Sequence, residues 1–153
     1  MASDAPTAAP APVSRPREVS ALDEEASEQL KLGEFTGVPT LSLSEARLVI
    51  DKVLRVRKQE RRVFQETETL TKMQTYLDHF ARFKQQTAAT NVERTLSNYP
   101  EMEKFEKSQL ATLCCEDAQE AKTLIPSLQN KISDEDLTQL LKEIAQNRSL
   151  GEA

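Results

Sequence analysis

The sequence predicts an all-α protein, a helical bundle preceded by an extended arm and one helix. Glycines number only three, and the aromatic set is five Phe and two Tyr with no Trp. Glu, Leu, Lys, Gln and Ala recur through the second half, and from Leu43 onward apolar residues return three and four positions apart. That composition favours helix, and it lacks the turn residues and the Val, Ile and Tyr that a β sandwich needs.

Charge and cysteine usage narrow the function classes. The formal net charge is −5, so any attraction to RNA or DNA must come from a local patch or a basic partner. No apolar run approaches the roughly 18 residues of a membrane span, and the N-terminus lacks the apolar core of a signal peptide. The chain is therefore expected inside the cell. Cys114 and Cys115 are neighbours, and with His79 as the lone histidine they cannot assemble a structural zinc site.

Residues 1–22 are read as a disordered tail. Pro6, Pro10, Pro12 and Pro16 stand among Ala, Ser and Thr, with too little apolar surface to offset the entropy of ordering. Residues 23–65 form the arm. Leu30 and Leu32 alternate with Gln29 and Lys31, which puts both leucines on one face of an extended strand, and Gly33 and Gly37 then discourage helix. A strand with no companion of its own class is either a surface loop or an edge strand added to another protein's sheet. Ser42 and Glu45 have the spacing of a capping box at the start of the first helix. Leu43, Ala46, Ile50, Val53 and Leu54 share one side, Val49 and Val56 widen it, and Leu48 points the other way. Such a helix is expected to be clamped between two surfaces. Its end is basic: Arg55, Arg57, Lys58, Arg61 and Arg62 suit the negative end of the helix dipole, or phosphates.

Residues 66–150 are read as one helical domain. A second helix runs from about Thr67 to Lys84, with Leu70, Met73, Leu77 and Phe80 as a core stripe and Tyr76 and Phe83 on its flanks. His79 lies off that stripe and is expected at the surface. A third helix ends before Tyr99 and Pro100, since proline cannot donate to the ladder. A fourth, Glu101 to Cys114, offers Phe105, Leu110, Ala111 and Leu113 for burial. Asp117 caps a fifth with Ala118, Ala121, Leu124 and Ile125, stopped by Pro126. Ser133, Asp134, Glu135 and Asp136 open a sixth, whose stripe is Leu137, Leu140, Leu141 and Ile144. No phosphate loop, metal knuckle or nucleophile elbow occurs, so no catalytic, metal or cofactor residue is assigned, and the chain is read as a binding protein.

Several stretches carry a resemblance. Leu30 to Phe35 (LKLGEF), Leu43 to Ile50 (LSEARLVI), Phe80 to Lys84 (FARFK), Phe105 to Leu110 (FEKSQL), and above all Asp117 to Leu128 with Asn130 to Asp134 are similar to the fourth-subunit family of eukaryotic RNA polymerase II. They are also similar to the corresponding stalk subunit of the archaeal RNA polymerase. The resemblance covers about Glu25 to Arg148 and leaves out the proline-rich tail. It also departs from yeast-type members, which can carry a long charged insertion between the first two helices. It implies an HRDC-like fold for the C-terminal helices and a non-catalytic role. It further implies a stalk heterodimer with the OB-fold seventh subunit, which links the chain to the polymerase core near the RNA exit path and supports initiation. The implied partner-binding residues are Leu30, Leu32, Phe35, Leu43, Ala46, Leu48 and Ile50. RNA would be reached, if at all, through the heterodimer, and the nucleus is the implied location, with the cytoplasm left open. Two other readings stand beside this one: the equivalent stalk subunit of RNA polymerase III, against which Leu124 to Leu128 (LIPSL) weighs, and a free HRDC-type nucleic-acid module, against which the acidic balance weighs.

Overall fold

The computed structural model describes residues 24–60 and 67–149. Among them it is an all-α bundle with a short N-terminal arm. The order is β1 (Glu25–Ala26), β2 (Leu30–Lys31), a 3-10 turn at Gly33–Phe35, α1 (Leu43–Gln59), α2 (Glu68–Phe80), α3 (Gln86–Ser97), α4 (Lys104–Leu113), α5 (Ala118–Leu124), a 3-10 turn at Pro126–Leu128 and α6 (Asp134–Ser149). The expected tail, and Arg61 and Arg62 of the basic stretch, lie outside the described residues.

The start signals act as expected. Ser42 Oγ accepts from the Glu45 backbone N–H while the Glu45 carboxylate accepts from Ser42 N–H at 2.7 Å, so two otherwise unpaired donors of α1 are met. The Asp117 carboxylate caps α5 through Glu120 N–H at 2.7 Å, and Ser133 Oγ caps α6 through Asp136 N–H at 3.1 Å. At the end of α4, Cys114 takes the left-handed conformation, φ 52°, that usually falls to glycine.

The core lies among α3, α4, α5 and α6, with Phe83 inserted from the segment before α3. Leu137, Leu140, Leu141 and Ile144 of α6 are all buried, and they face Val92 and Leu96 of α3, Leu110 of α4, and Ile125 and Leu128. Each such side chain contributes about 1.5–3 kcal/mol of burial.

Four expectations are corrected here. The strand at Leu30 has a companion: β1 and β2 form an antiparallel hairpin in which Glu25 faces Lys31 and Ala26 faces Leu30. Gly33, just beyond β2, has φ +53° and lies against the start of the hairpin, where a Cβ would strike the Glu24 side chain. Leu48 packs against the core cluster, whereas Val49, Val53 and Val56, expected on the buried side, are exposed. The α2 stripe is only half core. Leu77 is buried and Leu70 partly so, but Met73, Tyr76 and Phe80 are exposed, because α2 packs chiefly on α1 rather than on the bundle. Leu124 is 53% exposed, since it ends α5 beside the light cover of the hairpin.

Helix α2 also stops at Phe80 instead of Lys84. Beyond it, Phe83 N–H donates to the buried Ser44 Oγ of α1 at 2.9 Å, a bond that holds the backbone out of helix and drives the Phe83 ring into the core. Ser44→Ala is expected to cost about 1–3 kcal/mol, the penalty for a buried N–H left without acceptor. Urea unfolding monitored by circular dichroism checks it, and a midpoint equal to that of the parent chain would refute this role.

Candidate partner-binding surface

The arm is tied to its own bundle by three hydrogen bonds at two residues of α4, Lys104 and Thr112. Thr40 Oγ1 donates to the Lys104 carbonyl at 2.7 Å, Lys104 Nζ reaches the Gly37 carbonyl at 3.4 Å, and Leu43 N–H meets Thr112 Oγ1 at 3.3 Å. Ala26 and Leu30 of the hairpin line a small groove with Phe105, Gln109 and the Leu124 to Ser127 segment. The arm thus lies over α4 and α5 and carries its remaining apolar side chains outward.

The residues assigned to partner binding fall into two groups. Leu30 and Leu32 are half-buried, and Phe35 is 49% exposed with Val38, 43% exposed, close behind it in sequence. Leu43, Ala46, Leu48 and Ile50 are all half-buried within the α1 seams, so most of their surface already serves this chain. The exposed apolar residues of α1 are Val49, Val53 and Val56. Their i, i+4, i+7 spacing is the signal that separates them from the inward face, and the assigned set lacks them. Tyr76 and Phe80 add an aromatic pair on α2, with ring centroids 4.6 Å apart.

Helices α1 and α2 are locked by Arg47. Its Nε pairs with Asp78 Oδ1 at 2.6 Å, one terminal nitrogen reaches the Lys84 carbonyl at 3.4 Å, and Asp51 lies 4.0 Å away. A second polar centre holds the bundle itself. Glu106 is fully buried, its carboxylate accepting from Ser127 Oγ, from Lys131 Nζ at 2.9 and 3.0 Å, and from Glu103 N–H at 2.7 Å. One side chain therefore caps α4 and fastens it to the turn before α6.

None of this geometry resembles a reaction centre. Among the described residues no group of His, Cys, Asp and Glu is arranged to hold a metal ion. His79 is exposed and meets Phe80 edge-on at 4.7 Å. Burial pushes the Cys114 thiol up to about 11, against the smaller opposing pull of Arg82 and Arg148, and burial also raises Cys115. Thiols so placed are protonated at neutral pH and make poor nucleophiles. No described helix is long and apolar enough to cross a membrane.

The profile of the family described as RNA polymerase Rpb4 matches residues 40–148, which takes in α1 through nearly all of α6. The chain belongs to the Rpb4 family. Its similarity to the "DNA-directed RNA polymerase II subunit rpb4" of Schizosaccharomyces pombe is 46% identity over 127 residues, 82% of this chain and 93% of that protein. The Saccharomyces cerevisiae subunit RPB4 is 45% identical over 75 residues, 49% of this chain and 34% of the yeast protein. "DNA-directed RNA polymerase II subunit 4" of Arabidopsis thaliana is 29% identical over 133 residues, 83% of this chain and 96% of the plant protein. The Rpb4 match begins at the Thr40 anchor, so the β1–β2 hairpin precedes the part that the family profile covers.

Proposed function

We propose that this chain is the fourth, non-catalytic subunit of RNA polymerase II and works in the nucleus. The observation that carries the proposal is the 46% identity to an RNA polymerase II subunit across 93% of that subunit's length. The fission yeast, budding yeast and plant relatives are all polymerase II subunits, which favours that enzyme over polymerase III. In this reading the chain forms a stalk heterodimer with the OB-fold seventh subunit, is linked to the core through it, supports initiation and stands near the RNA exit path. The arm supplies the contact. Leu30, Leu32 and Phe35, with Leu43, Ala46, Leu48 and Ile50 behind them on α1, are proposed as its partner-binding residues, and Val38 is added to them as an exposed neighbour.

Affinity purification of the tagged chain from nuclear extract, with mass spectrometry of what accompanies it, is the direct test. Polymerase II core subunits and one OB-fold protein in equal amount with the chain are expected; recovery with the polymerase III core, or with no polymerase, would overturn the reading. For the interface, Phe35→Asp combined with Val38→Asp should weaken the reconstituted heterodimer by at least about 10-fold, as loss of an apolar anchor does. The melting temperature of the free chain should stay unchanged. An unaltered affinity would remove the arm from the interface.

A further inference from the structure

Two grooves run along α3 and share Leu41, Glu45, Ala89 and Glu93 in their walls. One, of about 390 Å3, lies between α3, α4 and the segment leading into α1; the other, of about 760 Å3, lies between α3 and α1. The two adjoin at these shared residues and, taken as one cleft, have an apolar lining that includes Leu41, Val49 and Val56, each exposed.

The charges around this cleft are not those of the chain as a whole. Several of its lining ions are already engaged. Glu45 is held in the Ser42 capping box, Asp51 faces Arg47, and Lys104 donates to the Gly37 carbonyl. The Lys52, Arg55, Lys84 and Lys107 cations, by contrast, have no carboxylate within ion-pair distance among the described residues, and against these four stand two lining carboxylates without a cation, Glu93 and the capping Glu45. A chain of net charge −5 therefore gathers unpaired positive charge around an open apolar trough. Apolar surface with a rim of one sign is complementary to a segment that alternates aliphatic residues with charges of the opposite sign.

We infer that the α1–α3–α4 cleft is a docking site for an acidic amphipathic segment of a second protein partner, adjoining the contact assigned to the arm, with which it shares Leu48 in its wall. Aliphatic side chains of the segment lie on Leu41, Val49 and Val56, and its carboxylates face Lys52, Arg55, Lys84 and Lys107. Attraction of this kind falls with ionic strength, because the rim charges are exposed to solvent.

Fluorescence anisotropy with a labelled 14-residue peptide, leucines at i, i+3 and i+7 and Glu or Asp elsewhere, tests it on the full chain and on its heterodimer. Binding to both is expected, weakened at least tenfold by Lys52→Glu with Lys84→Glu and by rising salt. A matched peptide carrying Lys in place of Glu and Asp should bind that double variant better than the parent chain, which shows that the variant is folded. Three results would overturn the inference: no binding, equal binding of an acidic peptide without leucines or equal competition by poly(U), and binding to the free chain that vanishes in the heterodimer. The second describes a bare polyanion patch, and the third a cleft that belongs to the other subunit.

Discussion

Glu106→Ala is expected to lower the stability of the free chain by about 3–5 kcal/mol, the range for removing one partner of a buried ion pair. The carboxylate is fully buried, and its removal leaves Ser127 Oγ, Glu103 N–H and Lys131 Nζ without their acceptor in one step. Lys131 is the least affected, because part of its side chain still reaches water. Glu103 is an exposed residue whose N–H water can take up, whereas Ser127 is buried and its hydroxyl adds the cost of an unsatisfied polar group. Domains of this kind are held by only about 5–15 kcal/mol in total, so the variant should be close to unfolding at physiological temperature. The urea midpoint should fall with an unchanged slope, and Glu106→Gln, which keeps an acceptor oxygen, should recover part of the loss. A loss below about 1 kcal/mol for the alanine variant would mean that the polar centre is dispensable.

Leu140→Ala and Leu124→Ala should behave oppositely although both leucines sit in regular apolar spacings. Leu140 is fully buried at the meeting of α6 with α3 and α5, and its truncation should cost about 2–5 kcal/mol through lost burial and the cavity left behind. Leu124 is half exposed on α5, and its truncation should stay within about 0.5 kcal/mol. Thermal unfolding of the two variants beside the parent chain separates them. Equal shifts would show that the hairpin covers Leu124 far more tightly than its exposure indicates.

These two leucines also show where the sequence is transparent. Helix α6 is legible in full, because capping residues, an acidic first turn and a stripe buried along its whole length all agree. Spacing reveals that one face of a helix is apolar but not what covers it. Thus Met73 and Phe80 have the same periodicity as Leu77 and yet remain open, since α1 is too narrow a partner to cover both sides of the stripe. The hairpin is hidden because its strands are two residues each and the Ser27 to Gln29 connection lacks a glycine turn signal. Glu106 is hidden because a glutamate in a helix reads as solvated; the Glu103–Glu106 capping-box spacing is its only trace. In the candidate site, the arm leucines are legible by alternation, whereas the cleft is not. It joins residues from Leu41 to Lys107 that only the packing of α1 and α4 against α3 brings together.

The seating of α2 sets the order in which the molecule comes apart. Its principal neighbour is α1, through Leu77, part of Leu70 and the Arg47–Asp78 pair, whereas α3 to α6 share one core. Elements held by few buried contacts open at a lower free energy than the whole fold. The chain is therefore expected to be graded rather than uniform, with α2 opening ahead of the bundle. Such an opening would bare the face of α1 that packs on α2 and leave the core shared by α3 to α6 closed.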